Sequence, residues 1–217
     1  MSELFDEVDE EVRREQLKKL WDKYSIYFIA LMVLIVAGVG GWRGYQYLEA
    51  KKAAEAGAAF EKAVELADQG KHAEAEAAFT ALAANAPSGY RTLARLRAAA
   101  ELSGRDPKAA AKMYDDIAAD RSAGTEQQAL AKIRAAGLLL DSTGYADMQQ
   151  RLEAQTASGS TFRHTARELL ALSAWRNGDM AAARKWLDAI AEDGETPPSM
   201  RSRAEALQAL LPAVAKS

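Results

Sequence analysis

Hydrophobic positions along the chain follow two patterns. Between Ser25 and Trp42 the sequence SIYFIALMVLIVAGVGGW holds no charged residue, and Leu, Ile, Val, Phe and Met crowd its middle. A helix rises about 1.5 Å per residue, so this stretch spans roughly 27 Å, close to the thickness of a hydrocarbon core. Trp21, Tyr24 and Tyr27 stand at one end, and Trp42, Tyr45 and Tyr47 at the other. Amphipathic rings of this kind suit the two headgroup layers. The pattern predicts a transmembrane helix over residues 25–42. Elsewhere apolar residues recur at helical spacings among charges and alanines, the signature of amphipathic helices.

The segment before the span opens acidic, with Glu3, Asp6, Glu7, Asp9, Glu10 and Glu11. It then turns basic, with Arg13, Arg14, Lys18, Lys19 and Lys23. Leu4, Val8, Val12, Leu17, Leu20 and Trp21 recur largely at spacings of three, four or five, which predicts a short amphipathic helix over residues 1–24. A solvated tail carrying topogenic charge is the alternative. Five basic residues lie close before the span and three (Arg43, Lys51, Lys52) close after it. That imbalance predicts a cytoplasmic N-terminus and an exported C-terminal part. Gly38-Val39-Gly40 offers a small-x-small site to a signal peptidase. The long apolar run and the acidic leader argue for a retained anchor instead. Ala37 with Gly41, and Gly40 with Gly44, form two small-xxx-small pairs, candidates for helix packing in lipid.

After the span a glycine recurs. Gly70 and Gly104 are 34 residues apart, Gly104 and Gly144 are 40 apart, and Gly144 and Gly178 are 34 apart. Gly70 is followed by Ala75, Phe79, Leu82 and Pro87, in the order small, aromatic, aliphatic, proline. Ala110, Tyr114 and Ile117 repeat that order after Gly104, and Ala183, Leu187 and Ile190 after Gly178, with Trp186 beside them. The small residue lets two helices of a hairpin approach, the large one fills the gap beside it, and proline ends the unit. The copy after Gly144 is degenerate, with Gln149 at the small position. Such spacing matches the second helix of tetratricopeptide repeats. First helices are predicted over 90–103, 126–141 and 162–177. Leu93, Leu96 and Ala100 should face the core.

The fold expected is therefore all-α: a single N-terminal transmembrane helix followed by a tetratricopeptide-like helical-hairpin solenoid. Its parts are a charged cytoplasmic segment (1–24), the span (25–42), a stalk (43–56) broken or kinked near Gly44 or Gly57, about four hairpins (57–198) and a C-terminal capping helix (199–217). The capping helix should cover the open end of the stack with Leu207, Leu210 and Leu211.

Composition narrows the chemistry. The 217 residues carry a net charge of −3 and no cysteine, which gives no footing to a nucleic-acid binder, a thiolate metal site or a thiol nucleophile. The two histidines, His72 and His164, fall in different repeats, and no metal-ligand spacing surrounds them. Asp115-Asp116 and Glu192-Asp193 read as solvated charges. In GVGGWRG, Arg43 stands where the dinucleotide pattern needs a third glycine. No catalytic residue, cofactor or metal is expected.

What remains is a surface. Arg91 and Arg95 share a helix face, with Tyr90 at the helix start, and Phe162, Arg163 and Arg167 make a similar group in the last hairpin. An Arg-and-aromatic groove would suit acidic polypeptide segments. The short charged N-terminus, the span ending in Gly41-Trp42-Arg43, the stalk and the repeats together resemble the YfgM-type ancillary subunits of the SecYEG translocon. Phe60-Glu61-Lys62-Ala63-Val64 and Gly89-Tyr90-Arg91-Thr92-Leu93-Ala94-Arg95-Leu96 resemble that family's first hairpins. The leader EVDEEVRREQLKKLW resembles the α-proteobacterial version.

The resemblance implies an inner-membrane protein with a periplasmic repeat domain. It would help hand emerging polypeptides to periplasmic chaperones, with the membrane-anchored PpiD as companion. An envelope-assembly or division scaffold, or a sensor acting on a cytoplasmic regulator through residues 1–24, are the other roles this layout would serve.

Overall fold

The computed structural model describes residues 3–212, and among them every regular element is helical. In chain order these are α1 (Glu3–Asp68), α2 (His72–Asn85), α3 (Ser88–Ser103), α4 (Pro107–Ala118) and α5 (Thr125–Leu139), then α6 (Tyr145–Leu152), α7 (Arg163–Arg176), α8 (Met180–Ala191) and α9 (Pro198–Leu210). A 3₁₀ turn, Glu153–Thr156, follows α6. The chain divides into two compact units, Met1–Lys52 and Ala53–Ser217.

The first unit is a stretch of α1. Its large apolar side chains, from Ile26 through Val39, are all exposed; Ile26 is 71 % and Leu34 70 % accessible. By length and composition α1 is the one helix among the described residues that could cross a membrane. Leu4, Val8 and Val12 of the predicted amphipathic face lie outside the residues whose side chains are described.

The second unit is a stack of hairpins. The end of α1 pairs with α2 around Ala63, Ala75 and Phe79, and the Phe60 and Phe79 rings meet edge to face at 5.2 Å. Next, α3 packs on α2 and on α4, α4 on α5, and α7 on α8, with α9 against α8. Most residues anticipated from the glycine spacing are buried, though Leu82 is only partly so. Ala75, Phe79, Ala110 and Ala183 are fully inaccessible, and Tyr114, Ile117, Leu187 and Ile190 nearly so. Alanine makes up most of the buried apolar set. A methyl side chain holds two helix backbones close together, so ridges and grooves interlock without bulky intermediates.

Two of the four marker glycines do the conformational work. Gly70 and Gly178 have φ of +76° and +82°, where only glycine is at ease. Each closes a Schellman end: Lys71 N–H donates to Leu66 O, and Asp179 N–H to Ala174 O. Gly104 and Gly144 have φ of −72° and −67°, which any residue adopts. The starts of α4 and α8 are capped by Asp106 and Asp179, whose carboxylates accept from the Ala109 and Ala182 N–H groups.

Several expectations are corrected. No break occurs at Gly44 or Gly57; both lie inside α1. Gly57 has a packing role instead, since a Cβ there would lie 2.9 Å from Tyr90 Oη. In α3 the core face belongs to Ala94, Ala98 and Ala99, while Leu93 is 47 % exposed and Leu96 and Ala100 sit at the boundary. In the degenerate copy, Met148 and Leu152 are buried, so the pair begins one residue earlier than the Gln149 register implied. Methionine's flexible chain fills a gap that a small residue fills elsewhere. In α9, Leu207 packs against the α7–α8 core and Leu210 is exposed, while Leu211, just past the helix end, is buried.

Candidate functional site

The first helices of three hairpins, α3, α5 and α7, line a groove of about 430 Å³. Leu130, Ile133, Arg134, Gly137 and Leu138 come from α5, and Ala100 and Ser103 from α3. Thr165 and Leu169 come from α7, with Phe162 at its start. Tyr114 reaches in from α4, its hydroxyl donating to Leu96 O at 3.4 Å. Burial pushes the Tyr114 hydroxyl above its ordinary pKa, and the charges of Arg134 and Arg97 pull against that shift. The groove is thus a largely apolar trough with one cation, Arg134, in its lining.

The anticipated surface residues divide on inspection. Phe162 lines the groove. Tyr90 does not; it packs its ring 6.1 Å from Phe60 and crosses Gly57. The four arginines Arg91, Arg95, Arg163 and Arg167 each donate at least one hydrogen bond inside the chain. Arg91 Nη2 donates to Ala86 O at 3.3 Å, tying the start of α3 to the turn before it. Arg95 Nη1 donates to Asp120 Oδ2, linking α3 to the α4–α5 connection. Asp120 also accepts from the Ser122 hydroxyl and N–H, and these bonds with Arg95 hold its pKa down to about 2.

Arg163 and Arg167 converge on one carboxylate. Arg163 Nε and Arg167 Nη1 donate to Asp193 Oδ2 at 2.9 and 2.8 Å, and the Glu195 N–H donates to Asp193 Oδ1 at 3.0 Å. Arg163 also binds Glu195, and Arg167 reaches Ala189 O and Thr156 O. Arg201 of α9 closes the knot through Ala191 O and Asp193 O. These bonds hold Asp193 far below the usual carboxylate range, with the Arg163 hydrogen bond the largest cause. Glu192-Asp193, expected to be simple solvated charge, therefore contains the carboxylate that fastens α7 to the turn after α8, while α9 is held to that turn through main-chain carbonyls. His164 is buried beside this knot. Its Nδ1 pairs with the Thr196 hydroxyl at 3.1 Å and lies 3.8 Å from Asp193. Burial first, and Arg163 next, lower its pKa, so the neutral ring is the stable form.

His72 is exposed and pairs through Nδ1 with Glu101 at 2.8 Å. Among the described residues, no group of His, Cys, Asp and Glu is placed to hold a metal ion. Ala37, Gly40, Gly41 and Gly44 lie in α1 with their surfaces open, and a Cβ added at any of the three glycines would meet nothing within 4 Å.

Sequence reasoning missed Arg134 and Gly137. Gly137 lies in the last turn of α5, where a glycine reads simply as an approaching helix end, and nothing in KIRAAGLLL sets Arg134 apart from the other arginines. Hairpins stacked on alanine contacts, with a groove across their first helices, define a helical-repeat scaffold of the kind that binds other proteins. The chain belongs to the tetratricopeptide repeat-like domain family, whose model matches residues 18–197. Domains of this family are typically non-catalytic protein-interaction modules. No curated protein and no solved structure gives a significant match.

Proposed function

We propose that this chain is a membrane-tethered protein-interaction module acting beside the SecYEG translocon, in the manner of the YfgM-type subunits it resembles. Residues 25–42 anchor it in the bacterial inner membrane. Residues 1–24 stay in the cytoplasm, 43–56 form a stalk, 57–198 present the repeats in the periplasm, and 199–217 cap them. Its partners are the translocon, a PpiD-like membrane chaperone and the unfolded polypeptides passing between them. Anchoring confines the repeats to the membrane surface, so weak contacts with emerging chains act at high effective concentration.

The observation that carries the reading is the stretch from Ile26 to Val39, whose large apolar side chains are all exposed among the described residues. A helix apolar on all sides is stable in lipid and a liability in water. The family match supports the same layout, because residues 18–197 take in both this stretch and the repeats. Ala37, Gly40, Gly41 and Gly44 are the positions where a translocon helix would come closest.

Photocrosslinkers placed along Ala30–Trp42 and at Tyr90 and Phe162, in living cells, test the reading. Translocon subunits captured from the span, with chaperone or nascent chains captured from the repeats, are the expected products. A single division or envelope protein at those positions, with no translocon, would overturn the secretion role and leave a tethered scaffold.

A further inference from the structure

Ahead of the uncharged stretch, α1 keeps an apolar face that crossing a bilayer does not require. Leu17, Leu20, Trp21 and Tyr24 all precede Ser25, and all are exposed. Successive residues of a helix are turned by about 100°, so these four fall with Tyr27 and Phe28 within roughly 120° of arc. The Trp21 and Phe28 rings stack along that stripe at 6.4 Å. Cations edge it: Arg14 and Lys23 border the stripe, Lys18 and Lys19 lie just beyond them, and Arg13 stands within it. Glu15 and Asp22 fall opposite its middle, where Glu15 pairs with Lys19 at 3.6 Å. A Trp- and Leu-bearing face beside a Lys-rich one is the pattern of a helix that rests in a phospholipid interface.

Length adds a second, independent observation. The same face stays uncharged from Leu17 to Trp42, and α1 is one unbroken helix through it. That run is roughly 39 Å long, against a hydrocarbon core of about 30 Å. A helix with such an excess tilts, and tilting toward the stripe lays its Leu17 end against the leaflet. Lys18, Lys19 and Lys23 then lie roughly 3–11 Å along the helix from Ser25, at headgroup depth, with Arg13 and Arg14 at the outer edge. The acids from Glu3 to Glu11 are roughly 21–33 Å from Ser25, more than a screening length of about 8 Å beyond the headgroups. They leave the attraction of the lysines for lipid phosphate in place. A second copy entering the membrane the same way would bring both Arg13 side chains into one seam edged by cations, which like charges oppose.

We infer that residues 13–28 form a foot that binds anionic phospholipid, with the Leu17–Tyr24 stripe in the headgroup–acyl boundary and Lys18, Lys19 and Lys23 gathering lipid phosphates. This rests on the membrane-anchor reading and adds the class of lipid that the anchor prefers.

The test uses the full-length chain, which has no cysteine of its own, in vesicles of 70 % phosphatidylcholine and 30 % phosphatidylglycerol. Leu17→Cys carries an NBD fluorophore, and either lipid carries a nitroxide at equal mole fraction. Both leaflets are alike, so orientation does not enter the reading. Nitroxide-labelled phosphatidylglycerol should quench Leu17→Cys about three-fold more than labelled phosphatidylcholine, and 0.5 M salt should remove the difference. Lys18→Gln with Lys19→Gln and Lys23→Gln should bring the two lipids to parity, whereas Arg13→Gln with Arg14→Gln should lower the preference only in part. Equal quenching by the two lipids in the chain with all five cations overturns the inference, as does a dye at Leu17→Cys that neither lipid quenches. Disulfide formation between copies at an unlabelled Leu17→Cys, in place of lipid contact, overturns it in favour of self-association. Loss of the preference on adding inorganic phosphate, but not chloride of equal ionic strength, overturns it in favour of a free-anion site. A dye at Leu34→Cys separates the two readings. Quenching there by acyl-labelled lipid keeps the anchor standing when the foot fails, and its absence means that the anchor itself is wrong.

Discussion

From Ile26 to Val39, α1 turns Ile, Leu, Val and Phe outward on every side, whereas α2 to α9 turn alanine inward. Both regions are helical and both are rich in apolar residues, yet they solve opposite problems. In the repeats, exposed faces carry charge and the buried faces are small, so adjacent helices approach closely and the stack needs no large core. In the apolar stretch no polar face exists, and what stabilises it has to come from its surroundings. The same class of residue thus marks a packed contact in one place and an exposed apolar surface in the other. Side-chain size and the presence or absence of a charged opposite face separate the two.

The largest effect should come from charging the apolar stretch. Each arginine at the middle of a span costs about 3 kcal/mol of insertion, so Leu34→Arg with Ile35→Arg should move the chain out of the membrane fraction. The repeat unit's unfolding temperature should stay where it is. A double variant that still pellets with membranes and resists carbonate would show that the stretch is no anchor.

Next in size is loss of a large core residue from the alanine-rich stack. Phe79 is fully buried beside Phe60, and Phe79→Ala should destabilise the repeat unit by about 3–5 kcal/mol in denaturant titration. A loss near 1 kcal/mol would mean that the first hairpin contributes little to cooperative unfolding.

The Asp193 knot should show itself through pH. Asp193 titrates below its unfolded value, so its contribution is fully present above about pH 4 and is lost as pH falls toward its folded pKa. His164 also titrates below its unfolded value of 6.5, so the native state binds fewer protons than the unfolded one. Stability should therefore decline as pH drops from about 6.5 through the folded pKa of His164. Asp193→Asn should lower the unfolding temperature at pH 7 and flatten the steepest acid loss, and His164→Gln should flatten the shallower one. Unchanged acid limbs in both variants would exclude the knot as their source.

The smallest predicted effects separate the marker glycines. Gly70→Ala and Gly178→Ala should each cost about 1 kcal/mol because φ is positive there. Gly104→Ala should cost nothing, since its φ is ordinary and a Cβ finds open space. Equal costs at all three would mean that the recurring glycine, not its conformation, sets the turn.

Much of the fold was legible because it rests on local rules. The i, i+4 pairs Ala75/Phe79, Ala110/Tyr114 and Ala183/Leu187 declare their buried face in the sequence, and the structure buries all six. The exceptions are where tertiary contact overrides pattern. Leu93 looked like core and is exposed, because the face of α3 that meets its neighbours is the one carrying Ala94, Ala98 and Ala99. Gly57 looked like a break and is a close approach to a residue 33 positions away, Tyr90, which no local pattern reveals.

The surface was harder to read for the same reason. Arg95, Arg163 and Arg167 share the composition of a binding site, but Asp120 and Asp193, 25 to 30 residues away, have already taken them. Whether an arginine is free depends on distant acids, so Arg134 could not be told from the others by sequence.

Membrane tethering is the claim on which the rest depends, and single-cysteine accessibility tests it most directly. The chain has no cysteine, so Ser2→Cys and Ser142→Cys each report one site, before the span and within the repeats. In cells with a permeabilised outer membrane, an impermeant maleimide should label Ser142→Cys at once. Ser2→Cys should react only after the inner membrane is opened, and both proteins should survive a carbonate wash in the membrane pellet. Labelling in the reverse order, or release of the chain by carbonate, would contradict a module held at the membrane by residues 25–42 with its repeats outside.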